Sequence, residues 1–395
     1  MQWQTFDLFN PTEEHQMLRD SVRQWVQAEV EPQALESDRQ EKFNLGLFRK
    51  LGELGLLGIT VPEEYGGSGL AAVAAVIVHE ELSYADPGFC LAYLAHSMLC
   101  VNNLSAHASP AQRQKYLPKL CSGEWIGAMA MSEANYGTDV LGMETTAEKR
   151  GDKYIINGTK MWITNGCVDD NGTPGDVIWL YAKTGEKNGK AQLSTFIVEK
   201  GMKGFKVGQK IMDKMGMRGS NTAELVFDNC EVPVENLVGD EGSSITHMMR
   251  NLEIERVTLA AMALGIAKRS IDVMNKYAHE REAFGKPIAQ YGQIQKFIAE
   301  SYAHYQASRA YVYNTARILK VDGTGNRIDS DGVKLVATPM AKQVADNAIQ
   351  VLGGYGYVGE YVVERLWRDA KLLEIGGGTL EAHQKNITND LKKLL

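Results

Sequence analysis

The residues best placed to do chemistry lie in "NLEIERVTLAAMALGIAKRSI", residues 251–271. Read with a helical period, Leu252, Leu259, Met262 and Ile266 share one stripe, and Glu255 falls on the same stripe. A carboxylate aimed at a face meant for burial is costly unless something pairs with it. Arg256 is next in sequence, but adjacent helical residues do not face each other, and Glu253 is the better helical partner for Arg256. Glu255 is thus left on the apolar stripe. Desolvation there raises a carboxyl pKa above its reference of about 4.3, toward values useful to a general base. The bland alternative is a structural ion pair.

Five further stretches each carry more than one reading. "GGYGYVG" holds Gly354, Gly356 and Gly359 in G-x-G-x-x-G spacing, yet it follows the amphipathic segment "KQVADNAIQVL" instead of a strand, so the nicotinamide-binding reading fails on context. It is a glycine stop to a helix, or bare backbone that lets a cofactor or another subunit approach. "EIGGGTLEAHQ" places Gly376, Gly377 and Gly378 before a helix start; this is a flexible turn, or a set of backbone N–H groups that hold an anion or polarise a carbonyl. "AMAMSEANYGTDV" and "MWITNG" are turn and core, or they line a flat aromatic ring, with Trp162 packing on it and Ser132 or Thr164 at its edge. "EREAFGKPI" puts Arg281 beside a Phe-Gly turn, as a solvated arginine or a phosphate contact.

The elements that position these residues fall into three regions. Residues 1–127 are mostly helical: Asn10-Pro11-Thr12-Glu13 predicts a helix capped by Asn10, which should stop before Pro32. From 128 to 240 the period changes to two, in runs such as "KYIINGTKMWITNG" and "TAELVFDNCEV", which predict a small antiparallel sheet or barrel of sequential strands. From 241 to 395 helical periodicity returns, with a polar loop at 320–332 and Pro339 as a kink or first turn in the next helix. An α, then β, then α order argues against a doubly wound parallel sheet. The 395 residues are 44% hydrophobic and 23% charged, enough for a substantial core. A formal charge of −7 speaks against nucleic acid as the main partner. The five scattered cysteines, with no Cys-x-x-Cys pair, argue against a disulfide framework and a zinc site. No apolar run of about 18 residues predicts a membrane span, and the N-terminus lacks a signal pattern, so the expected location is cytoplasmic, a processed mitochondrial form being the alternative.

Taken together the motifs resemble the acyl-CoA dehydrogenase family over essentially the whole chain: "PEEYGGSG", "KMWITNG", "REAFGKPI", "QVLGGYGY" and "RDAKLLEIGGGT" occur in the family's order. "YLAHSMLCVNNL", "QKYLPKL", "MGMRGSNTAELVFDNC" and "LEIERVTLA" are most similar to its isovaleryl branch. The resemblance implies an α+β fold with an all-α N-terminal domain, a β-barrel middle domain and an all-α C-terminal four-helix-bundle domain, assembled as a homotetramer with bound FAD. Many members carry the catalytic glutamate in the C-terminal loop as Tyr-Glu-Gly-Thr, where this chain has Gly376-Gly377-Gly378-Thr379. The isovaleryl and long-chain branches carry it at the position of Glu255, which the resemblance therefore makes the base. It would remove the α-proton of an acyl-CoA while the β-hydrogen leaves as hydride to flavin N5, and electrons would pass on to electron-transferring flavoprotein.

By the same resemblance Met131, Ser132, Trp162, Ile163 and Thr164 would form the flavin pocket. Arg281, Gln350, Gly353 and Gly354 would reach FAD's phosphates and adenosine, partly across a subunit interface, with Thr379 and Glu381 nearby. Thr138 would serve both cofactor and substrate. Glu253 and Arg256 would face the CoA thioester and pantetheine, and Gly377 and Gly378 would lie at the thioester carbonyl. One departure is Gly292, where the family usually has an FAD-contacting Gln; another is the longer segment "CVDDNGTPGD". Small Gly376 and Gly377 leave room for a branched acyl chain. The same space would admit long-chain, cyclic or carrier-bound acyl groups. An oxidase would use the same base and flavin, and a non-catalytic scaffold would keep the fold alone.

Overall fold

A computed structural model describes residues 6–395. Seven helices precede the strands: α1 (Glu13–Trp25), α2 (Glu31–Gln40), α3 (Leu45–Glu53), α4 (Ala72–Ala85), α5 (Pro87–Leu94), α6 (Asn102–His107) and α7 (Pro110–Cys121). The cap of α1 is Thr12, not Asn10; its side-chain oxygen accepts from the His15 N–H. Nor does the helical path stop before Pro32. A π-helical turn at Val26–Val30 precedes α2, and the Glu31 N–H reaches back to the Val26 carbonyl. The wider π spacing carries the chain past a residue that has no N–H to give and whose ring would crowd an α-helical turn.

The middle region holds β1 (Gly127–Ala130), β2 (Thr146–Arg150), β3 (Lys153–Thr164), β4 (Val177–Lys187), β5 (Lys190–Glu199), β6 (Phe205–Lys210), β7 (Thr222–Pro233) and β8 (Leu237–Val238). They form one sheet in the order β6-β7-β3-β2-β4-β5-β8, with β1 alongside β4. The order is not sequential as the short turns predicted, and β1 pairs with β4 in parallel. Inward residues from both ends of that path, Phe205 and Phe227 at one and Phe196 and Val198 at the other, enter one core, so the sheet rolls up as a barrel. The longer loop after β3 closes on itself: Cys167 bridges to Pro174, and Asp169 accepts from the Asn171 and Thr173 N–H groups.

The chain then returns to helices: α8 (Ser244–Glu280), α9 (Gly292–Ile318), α10 (Arg327–Leu352), α11 (Gly354–Tyr357), α12 (Val363–Leu373) and α13 (Leu380–Lys392). The polar segment that predicts a loop to 332 is helical from Arg327 onward, and Pro339 lies inside α10 instead of in its first turn. Helices from before and after the barrel share a single core. α8 is its axis, and every residue from Glu253 to Ala267 is buried, so its apolar surroundings extend well beyond a single stripe. Among the described residues no helix is long and apolar enough to cross a membrane.

α8 passes α4 so closely that Gly265 leaves no space for a side chain; a Cβ there would press on the Glu80 carbonyl and lie 2.8 Å from the Tyr84 nitrogen. Gly265→Ala should therefore destabilise the protein by about 1–3 kcal/mol, although alanine is the better helix former by roughly 1 kcal/mol. A denaturation midpoint equal to that of the parent would mean that the two helices part freely.

Candidate active site

α8 carries Glu255 into the interior, where its side chain is buried, the residue is 5% exposed, and Oε2 has no hydrogen-bond partner. Burial raises its pKa to about 7, against the pull of Arg256 and Lys334. The tri-glycine turn lies directly against it. A Cβ at Gly377 would sit 3.1 Å from Glu255 Oε1 and collide with Leu259 Cδ1, and its φ of +68° favours glycine independently.

Two carbonyls of the turn are held by buried donors. Lys334 Nζ donates to the Gly378 oxygen at 2.7 Å, His383 Nε2 lies 3.0 Å from that same oxygen, and Arg256 Nε reaches the Gly377 oxygen at 3.5 Å. Asp331 holds the donors in place: Oδ1 is 3.1 Å from Arg256 Nη1 and also bonds to His383 Nδ1. Both ring nitrogens of His383 thus face oxygen acceptors, which only the doubly protonated ring satisfies in full. Burial nevertheless lowers its pKa overall, outweighing the Asp331 bond, which raises it. The expected Glu253–Arg256 pair is not made. Arg256 is taken by Asp331, while the Glu253 carboxylate accepts from the Gly325 and Asn326 N–H groups at 3.2 and 2.8 Å. Glu253 thereby caps the start of α10.

A second cluster stands at the barrel rim. Met131 and Ser132 continue from β1, and the Ser132 carbonyl accepts from the Met161 N–H at 2.9 Å. The pairing of β3 with β7 slips between Lys160 and Ile163, so that Trp162 takes a φ of +60° and turns its indole outward, 54% exposed. Thr164 is half-buried beside it, whereas the Ile163 side chain points into the barrel core and offers a cofactor only its backbone. An outward indole flanked by Ser132 and Thr164 fits a flat ring with polar edges. Beneath it lies a buried pair that sequence reasoning missed. Lys160 Nζ bonds the Met131 carbonyl and Glu133 Oε1, both at 2.9 Å, and Glu133 also accepts from the Thr145 and Glu144 N–H groups. α8 adjoins this rim, since Met248 packs in one cluster with Met129 and Met131. Thr138 is exposed in the turn after Ser132.

The third set is at the far end of α8. A cleft of about 660 Å³ brings Arg281 together with Tyr277, Leu352 and Gly354, and Gln350 and Gly353 flank it where α10 ends. Thr379 caps α13, accepting from the Ala382 N–H, and Glu381 is exposed in that helix's first turn. Lys334, Asp331 and His383 escape a reading of the sequence alone. The signal for the first two was the one that reveals Glu255: charged residues at helical spacing with Thr338 and Ala341, on a buried face.

Because burial favours its neutral form, Glu255 stabilises the fold fully at pH values below the ordinary 4.5 and loses that contribution as pH rises through about 7. Glu255→Gln should thus gain on the parent between pH 5 and pH 8, by an amount on the order of 3 kcal/mol at most. A stability difference that stays constant with pH would contradict this.

Models of the acyl-CoA dehydrogenase N-terminal, middle and C-terminal domains match residues 12–124, 128–230 and 242–392. The chain is 46% identical to a mitochondrial isovaleryl-CoA dehydrogenase of Oryza sativa over 98% of its own length and 92% of that protein. It is 38% identical to a short-chain specific acyl-CoA dehydrogenase of Clostridium acetobutylicum, over 97% and 99%. The structure of butyryl-CoA dehydrogenase from Megasphaera elsdenii superposes with a TM-score of 0.91 at 34% identity, covering 96% of this chain and 98% of that one. With a helical, a β and a helical region in that order and a relative this similar over nearly its full length, the chain belongs to the acyl-CoA dehydrogenase family.

Proposed function

We propose that Glu255 is the base that removes the α-proton of the acyl thioester, and that the acyl group is short and branched, isovaleryl-like. The observation that carries this is the Glu255 carboxyl itself: buried, with Oε2 unpartnered, and lying against a turn made only of backbone. A structural carboxylate would have used the arginine beside it, which Asp331 holds instead. A pKa near 7 suits a group that must accept a proton at neutral pH. FAD, carried by members of this family, supplies when bound the acceptor for the β-hydrogen. Trp162, Ser132 and Thr164 would hold its ring, and Arg281 its phosphates.

The protein's part in the reaction is positional and electrostatic. The tri-glycine turn commits its carbonyls to Lys334, His383 and Arg256. The Gly376 N–H is taken by the Leu372 carbonyl at 2.8 Å, so the N–H groups of Gly377 and Gly378 are the ones to face a thioester oxygen and stabilise the charge that grows there as the proton leaves. Without side chains at Gly376 and Gly377, the turn leaves space beside the reacting carbons for a methyl branch, in keeping with the isovaleryl-CoA relative. The product is a trans-2-enoyl thioester, and electron-transferring flavoprotein is the proposed acceptor of the electrons.

Distance along α8 argues for assembly. Arg281 follows Glu255 by 26 positions, roughly 39 Å at a helix's 1.5 Å per residue. That is more than one extended FAD spans, so the Arg281 cleft would serve a cofactor whose ring lies in another subunit. Phe284, 97% exposed at a hairpin tip beside that cleft, is the kind of aromatic group a second chain covers. A homotetramer meets this requirement.

Glu255→Gln should retain FAD and lose at least about 100-fold in flavin reduction when isovaleryl-CoA is added anaerobically. Reduction at the parental rate would exclude Glu255 as the base. Bleaching of the parent with straight-chain but not branched thioesters would remove the branched assignment and leave the base.

A further inference from the structure

The buried charges under the tri-glycine turn do not balance without Glu255. Lys334, 0% exposed, and Arg256 are both cations removed from water. Asp331 is the buried carboxylate among them, and it is committed to Arg256 and His383. The Lys334 ammonium has three donors, yet its hydrogen bond is to one neutral acceptor, the Gly378 carbonyl at 2.7 Å. A buried ammonium with no anion in contact is as costly as a buried carboxylate with none. Both exist here, on facing helices, α10 and α8. Between them lie two consecutive residues: Gly378, whose oxygen Lys334 holds, and Gly377, whose α-carbon faces Glu255.

We propose that Lys334 is a positioning residue for proton abstraction: it clamps the Gly378 carbonyl, sets the turn against Glu255, and supplies the counter-charge that keeps the Glu255 carboxylate ionised. The proposal rests on the reading of Glu255 as the base. Other charged or titratable groups bear on Glu255 from each element around it. Arg250 and Arg256 come from α8, Asp331 and Arg327 from α10, His383 from α13 and Tyr181 from β4, while buried Glu374, just after α12, pulls on Lys334 but pairs with Lys371 and Lys342 at 2.6 and 3.5 Å. Asp331 compensates Arg256 at 3.1 Å, and Arg327 pairs with Asp390 at 2.9 Å. Arg250 is hydrogen-bonded to Asn103 and His107 at 2.9 and 3.2 Å, on the side toward α6. Arg256 and Lys334 are the cations that act on Glu255, and of the two Lys334 is the one with no carboxylate in hydrogen-bond contact. Burial lowers the Lys334 pKa to about 8, and Glu255 is the first of the charges that oppose this fall. The same pair acts in reverse on Glu255, whose rise Arg256 and after it Lys334 restrain.

The sign of the effect follows. Removing the ammonium raises the Glu255 pKa, so the acid limb of the pH–rate profile moves to higher pH. Lys334→Gln keeps a donor for Gly378 and loses the charge; Lys334→Met loses both at similar volume. The test follows the infrared band of the protonated Glu255 carboxyl, assigned by its absence in Glu255→Gln, across pH in FAD-replete protein. The kcat/KM profile with isovaleryl-CoA is measured in parallel. The expected result is a band midpoint and an acid limb raised by about one pH unit in Lys334→Gln, a roughly tenfold loss of rate below the limb. Lys334→Met should show the same shift with a lower plateau, because the turn is also released. A band midpoint unchanged in Lys334→Gln overturns the proposal, whatever becomes of the methionine variant. The infrared titration does not depend on turnover, so a wrong assignment of the base, seen as normal flavin reduction by Glu255→Gln, would be told apart from a wrong assignment of Lys334.

Discussion

Burial of a single carboxyl sets the terms for the rest of the site. Taking Glu255 out of water is possible only because its surroundings are arranged to tolerate either protonation state. A side chain at 377 would fill the space in front of it, so the position is glycine with a positive φ. A carbonyl oxygen turned toward the carboxylate would repel it, so the oxygens of Gly377 and Gly378 are drawn off by Arg256, Lys334 and His383. Two of those donors, Arg256 and His383, have an anion of their own in Asp331, which comes from the first turns of α10. Glu253 fixes where α10 begins, and Thr379 fixes where α13 begins. Three helices and one loop are thus tied to one ionisable group.

The sequence makes the key residue visible by a simple conflict, an acidic group where the helical period demands an apolar one. The same conflict exists at Asp331 and Lys334, and there composition hides it. A run of Gly, Asn, Asp and Ser before them reads as a loop, because those residues usually are. Here four of the polar residues, Ser330, Asp331, Lys334 and Thr338, face inward and are buried. A helix whose opening turns line a charged site looks like a loop on composition alone. Arg256 misleads for the opposite reason. Local helical geometry offers Glu253, but a partner 75 positions later, Asp331, closes the pair across space.

Other features are illegible because they depend on contacts far apart in the chain. Alternation announces strands correctly but not their neighbours, and β3 pairs with β7 in preference to the adjacent β4. The slip in that pairing is what turns Trp162 outward, and strict alternation hides it. Pro32 reads as a stop because an α-helix has no place for it, whereas a π turn just before it changes which carbonyl the chain must meet.

Placing the buried carboxyl on α8 instead of in the tri-glycine turn divides the work of the site. A helix buried on every side over Glu253–Ala267 holds a side chain in a narrow range of positions, which proton transfer requires. The turn, relieved of that duty, can be glycine throughout and bring bare backbone close to a ligand, which a side-chain-bearing turn cannot do at a φ of +68° and +103°. The division has a cost that the structure also displays. A turn of three glycines has no intrinsic preference for one conformation, so its shape must be imposed from outside. The imposing groups here are charged and buried, and their charges cannot be chosen independently of the carboxyl they sit behind. On the role proposed for Lys334, rigidity of the turn and ionisation of Glu255 are one design variable, set by the same lysine.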